Sequence, residues 1–246
     1  MNQAYRSWHF PFCFSSVFVF TFCSPWAQPA IAAQSVYAIA ENASEGVPAA
    51  LSGPAPVSPR DLAGNLVDLA HLPNPPLQEI RYATEYNFTG TQLYPFPAAF
   101  LQKDAADALE KVQEYLASRG LGLKVWDAYR PLSVQQKMWD LIRDERYVSD
   151  PAKNRGRHTR GTAVDVTLVD KRGNELPMPT DFDDFSERAH SYWVGASGPQ
   201  KENRALLQEA MTRFGFEIYL DEWWHFDFHN WQSYPPLDVN FRDMRL

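Results

Sequence analysis

Three short stretches of the sequence carry side chains that could act together. The segment His158-Thr-Arg-Gly-Thr-Ala-Val-Asp165 sets an imidazole and a carboxylate seven residues apart, with Gly161 between them to allow a sharp turn. Glu222-Trp-Trp-His225 adds a second imidazole and another carboxylate. Arg130 follows an apolar, strand-like run. Two imidazoles and a carboxylate suit a divalent zinc ion, which takes nitrogen and oxygen donors and, at hydrolytic sites, keeps one position open for water. His158, Asp165 and His225 are therefore the candidate ligands. Asp165 gives the best physical reason to want a metal. It stands among Ala163, Val164, Val166 and Leu168, where an unpaired carboxylate costs several kcal/mol.

A strand would point Glu222 and His225 to opposite faces. A bend between them would let both reach one site, with Glu222 as the base that takes a water proton and returns it to a leaving amine. Trp223 and Trp224 would keep such a site partly dry. Each of these residues also has a plainer use. His158 could be a solvated loop histidine. Asp165 could pair with Arg157 or Arg160, Arg130 could simply hold Asp127, and the tryptophans could be core.

The elements that must position these groups are legible in outline. Leu101, Ala105, Leu109, Val112 and Leu116 recur at helical spacing and predict a helix stopped by Gly120. Leu121–Trp126 reads as a buried strand, and Pro131 starts a turn after Arg130. A second helix carries Val134, Met138, Leu141 and Ile142 on one side. Ala163–Val169 reads as a strand, Asn203 as the cap of a helix ending at Gly215, and 216–219 and 225–228 as short strands. Irregular alternation without a glycine-rich phosphate loop predicts an α+β domain with a small mixed or antiparallel sheet and packed helices.

The ends of the chain read differently. Of residues 1–33 only Arg6 is charged; a short apolar run, Phe10–Phe22, precedes Ala30-Ile31-Ala32. That order predicts a cleaved secretory signal, and the run is too short for the roughly 20 apolar residues of a membrane span. No stable membrane anchor is expected after its removal. Both cysteines, Cys13 and Cys23, lie in this segment, so the mature chain would have neither a disulfide nor thiolate ligands. Residues 34–76, rich in Ala, Pro and Ser, read as a linker or arm, and the folded domain is expected over 77–246. A net charge of −7 argues against nucleic acid or anionic membranes as partners.

In order along the chain, Arg81-Tyr-Ala-Thr84 with Asn87-Phe-Thr-Gly90, Trp126-Asp-Ala-Tyr-Arg-Pro131, the His158–Leu168 segment, Phe182-Asp-Asp-Phe-Ser-Glu-Arg188 and Glu222-Trp-Trp-His-Phe226 resemble the D-alanyl-D-alanine dipeptidases of the VanX type. The resemblance runs from about Leu77 to Tyr234. It implies a Hedgehog-like peptidase fold, one zinc ion per chain held by His158, Asp165 and His225, and Glu222 as catalytic base. It further implies that Arg130 steadies the developing oxyanion and that Tyr82 and Asp183 hold the free amino end of a small dipeptide. Asp183 also lies in an acidic run, Asp181–Asp184, that could be a solvated loop. The family usually has Ser where this chain has Gly156, a departure that bears on substrate preference.

The expected function is periplasmic zinc-dependent hydrolysis of D-alanyl-D-alanine or a related D,D-dipeptide. Two other readings share the zinc set. One is a D,D- or L,D-carboxypeptidase acting on peptidoglycan stem peptides, which would need an open amino-side cleft. The other is a non-catalytic zinc-stabilised wall-binding module, which would have no use for Glu222.

Overall fold

The computed structural model describes residues 65–153 and 155–244. The expected signal segment, and the arm up to residue 64, lie outside the described residues. Among the described residues no helix is long and apolar enough to cross a membrane.

The chain forms an α+β domain. Its main sheet has five strands in the order β2 (Leu77–Gln78), β4 (Leu121–Asp127), β5 (Ala163–Asp170), β7 (His225–Phe228) and β6 (Phe216–Ile218). Only the β2–β4 pair is parallel, so the sheet is mixed as expected. A separate antiparallel pair joins β1 (Leu66–Asp68) to β3 (Phe100–Gln102). Among the described residues three helices pack around these strands: α1 (Lys103–Ala117), α2 (Leu132–Ile142) and α3 (Gly198–Arg213).

The reasons for these elements are local. Along α1, Ala105, Ala108, Leu109, Val112 and Leu116 are buried at three- and four-residue steps, and each buried Leu or Val contributes about 1.5–3 kcal/mol. Strand β5 is buried over seven of its eight residues, which explains its nearly continuous apolar sequence. Pro131 supplies the N-cap backbone of α2 and turns the chain away from β4.

Four expectations are corrected. Residues 66–76 belong to the domain rather than to a linker: Leu66–Asp68 pair with Phe100–Gln102, and Leu69 and Leu72 enter the core. Leu101 lies in β3, just ahead of α1 rather than on it. The cap of α3 is Ser197, in a capping box with Gln200; Asn203 sits inside the helix and donates to the Pro177 carbonyl at 2.9 Å. Leu141 is exposed, and the buried side of α2 carries Gln135 with Met138.

Candidate metal centre

The register of the sheet builds most of the site. Asp127 on β4 faces Asp165 on β5, and Asp165 faces His225 on β7. Directly opposed residues share a face of the sheet, so three strands present three polar side chains in one row. A bulge in β4 between Val125 and Asp127 leaves Trp126 out of register with β5. His158 arrives from a single 3-10 turn, His158–Arg160, that ends at Gly161 with φ +68°.

His158, Asp165 and His225 are buried and converge. His158 Nε2 lies 3.2 Å from His225 Nδ1 and 3.4 Å from Asp165 Oδ2; His225 Nδ1 lies 3.0 Å from Asp165 Oδ1. A tetrahedral zinc ion with ligands at about 2.0–2.1 Å needs donor atoms roughly 3.3 Å apart, so the cluster has the right size. Its chemistry fits as well. The outer nitrogen of His158, Nδ1, is 2.7 Å from the Ala128 carbonyl, and that of His225, Nε2, is 3.0 Å from Asp227 Oδ1. Both partners can only accept, which fixes each ring's N–H on the outside and turns the two inner lone pairs toward each other and a carboxylate. Such a set calls for a cation. Burial alone would push Asp165 up; positive charge on the facing imidazoles, the part a bound cation would take, outweighs it and lowers the carboxyl.

Glu222 sits in the loop between β6 and β7, two residues ahead of the latter strand's neighbour Trp224, so the bend needed to bring it beside His225 is present. Its Oε2 lies 3.8 Å from His225 Nδ1. Burial raises its pKa above the usual value, opposed by His225. The two tryptophans divide their work. Trp224 lines the cavity, whereas Trp223 faces away and donates to Thr180 Oγ1 at 2.9 Å.

Arg130 holds Asp127, the plainer of the two uses read for it, and it also faces the cavity. It is buried, its Nη2 donates to Asp127 Oδ2 at 2.7 Å and its Nη1 to Gln135 Oε1 at 2.8 Å, and it still lines the cavity. Its charge lies over the Tyr82 ring, 5.1 Å from the centroid. The Tyr82 hydroxyl donates to both oxygens of Asp183, at 3.2 and 3.1 Å. Asp183 is thus not a freely solvated loop residue. It is half-buried, and its backbone is left-handed at φ +58°, a strained conformation for a residue other than glycine. Burial, followed by the charges of Asp165 and Glu222, pushes its pKa well up.

A cavity of about 100 Å³ joins these groups: Tyr82, Arg130, His158, Asp165, Asp183, Glu222 and His225 all line it. Asp165 pairs with neither Arg157 nor Arg160. Arg157 lies against Asp227, and Arg160 donates to the Tyr234 carbonyl. Sequence reasoning missed Asp227 and Gln135. For Asp227 the signal was available, since position i+2 on a strand shares the face of His225.

A buried His–Asp–His cluster with a carboxylate beside it and a guanidinium in the same cavity defines a metal-dependent hydrolase of the peptidase type. Comparison with known proteins narrows this. Residues 63–243 match the model of a peptidase family described as D-ala-D-ala dipeptidase, and the chain belongs to that family. It is 41% identical over 177 residues to the D-alanyl-D-alanine dipeptidase of Escherichia coli K12, covering 72% of this chain and 91% of that protein. The dipeptidases of Enterococcus faecium and Enterococcus faecalis are 32% and 31% identical, each over 66% of this chain and 90% of their own lengths.

Proposed function

We propose that the chain is an exported zinc dipeptidase that hydrolyses D-alanyl-D-alanine or a closely related D,D-dipeptide to free amino acids. The observation that carries this reading is the Tyr82–Asp183 pair in the same cavity as the His158–Asp165–His225 cluster. A carboxylate held at that place rewards a substrate with a free ammonium group. A blocked amino end would leave that carboxylate's charge without a cationic partner.

His158, Asp165 and His225 would hold the zinc ion. When bound, zinc supplies a Lewis acid for the scissile carbonyl and acidifies the attacking water. Glu222 takes the proton of that water and delivers it to the leaving amine, so that one water and one peptide bond give a new carboxylate and a new amine. Arg130, fixed by Asp127 and Gln135, meets negative charge as it grows on the carbonyl oxygen without having to move. Asp183 and Tyr82 hold the ammonium, and Trp224 helps exclude bulk water.

A panel of dipeptides, with and without a chelator, tests this against an N-acylated pentapeptide. Chelator-sensitive cleavage of D-alanyl-D-alanine is expected. Preference for the blocked pentapeptide would instead support a carboxypeptidase, and zinc binding without any turnover a wall-binding module. Export to the periplasm rests on the order of residues in 1–33. Fractionation of a producing cell should find the shortened chain outside the cytoplasm, and an uncleaved cytoplasmic chain would remove that part of the reading.

A further inference from the structure

The cavity is lined by two guanidinium groups, and they are held in different ways. Arg130 is buried and committed to Asp127 and Gln135. Arg157 is partly open, with 28% of its side-chain surface accessible, and its Nε lies 3.0 Å from Asp227 Oδ2 without hydrogen-bond alignment. Its planar group rests on aromatic faces, 4.7 Å from the Tyr219 centroid and 5.1 Å from that of Trp231, and it also lies against the Tyr219 hydroxyl. Among the described residues, no carboxylate or carbonyl oxygen accepts a hydrogen bond from its two terminal nitrogens. A forked cation on a rigid aromatic seat, with donors to spare, is suited to a planar carboxylate.

We propose that Arg157 is the specificity-determining residue that binds the C-terminal carboxylate of the dipeptide. This rests on the dipeptidase reading and extends it to the other end of the substrate. The two charged anchors belong to different neighbourhoods. Asp183 is held by Tyr82, under Arg130. Arg157 is held by Tyr219, Trp231 and Asp227, on the side of His225, whose ring stacks edge-on with Tyr219 at 5.1 Å. An ammonium site on one flank and a carboxylate site on the other measure the length of the substrate. Any peptide with free ends carries both charges, but a dipeptide sets them at one short separation, the one these two anchors would select. Arg157 stands directly after Gly156, which lines the same cavity without a side chain.

Arg157 also touches Asp227, and through it His225, so a purely positioning role must be separated from carboxylate binding. The test compares D-alanyl-D-alanine with its C-terminal amide in the zinc-loaded parent, Arg157→Gln and Arg157→Lys. The parent should prefer the free acid on the order of 10²-fold in kcat/KM, the scale of a charge-assisted bidentate contact. Arg157→Gln should abolish that preference, mainly by raising KM for the acid, and leave the amide within about twofold. Arg157→Lys keeps a charge beside Asp227 and should restore part of the preference, which also serves if the Gln variant folds poorly. In an inert Glu222→Gln background, calorimetry should show dipeptide affinity falling with Arg157→Gln while zinc content stays constant. Equal losses on acid and amide, or loss of zinc, would overturn the proposal in favour of positioning through Asp227. A zinc-loaded parent that cleaves and binds no dipeptide would be a distinct result, one that removes the functional reading itself.

Discussion

Asp165 and His225 face each other directly across the β5–β7 ladder, with Oδ1 3.0 Å from Nδ1. The sheet, and not a loop, sets two of the three donor atoms, so their spacing is as rigid as the strand pairing. Behind His225, Asp227 holds the ring by its other nitrogen at 3.0 Å. Replacing Asp227 by Asn should keep the fold and the three donors but weaken zinc binding about 10–100-fold, because the ring loses its charged orienting partner. Competition titration against a chromophoric chelator measures this. Unchanged affinity would mean that the Asp227 carboxylate does not orient His225.

Glu222 is placed to move protons rather than to hold metal. Its Oε2 is 3.8 Å from His225 Nδ1, and burial raises its pKa toward the range useful to a base. Glu222→Gln preserves the shape and should retain zinc, with kcat lower by about 10²–10⁴-fold. Metal analysis beside steady-state kinetics separates the two effects. Full turnover in that variant would exclude Glu222 as the base.

Asp183 should trade stability for binding. Its folded pKa is raised above the ordinary 3.8, first by burial and then by Asp165 and Glu222. Below pH ~4 the carboxyl is protonated whether folded or unfolded and has no differential effect. As pH rises from there, the unfolded chain ionises freely while the folded site resists, so stability is lost. Asp183→Asn should therefore raise Tm at neutral pH, with the gain fading toward pH 4, and should raise KM for the dipeptide. A Tm difference that does not vary with pH would refute the electrostatic account.

What the sequence made legible follows from cost. A carboxylate in the apolar run of β5 is expensive unless it has a cation, which is why Asp165 could be singled out before its neighbours were known. The Glu222–His225 bend was readable as a need, since strand geometry alone would have parted the two residues. Leu66–Asp68 was not readable. A three-residue strand in Ala- and Pro-rich surroundings is too short to show a period, and its partner lies more than thirty residues further on. Gln135 was hidden for another reason. Its burial is explained by a bond to Arg130, not by the apolar pattern that reports a helix face.

That unread strand bears on the metal site through Gly161. Its φ is +68°, and a Cβ there would come within 2.7 Å of Leu66 Cδ2. Gly161→Ala combines a left-handed backbone penalty of roughly 1–2 kcal/mol with this steric contact. The expected result is a Tm lower by about 2–8 °C, at roughly 2–4 °C per kcal/mol for a domain of this size. The same turn holds His158: the Gly161 N–H donates to the His158 carbonyl at 3.0 Å, and so does the Arg130 N–H at 3.1 Å. Zinc affinity should fall along with stability. A double-mutant cycle with Leu66→Ala isolates the steric part, because the smaller side chain removes the clash but not the backbone strain. Partial rescue is expected. Additive losses in the cycle would show that Leu66 does not press on the turn, and an unchanged Tm and zinc affinity in Gly161→Ala would remove the link between the N-terminal strand and the metal centre.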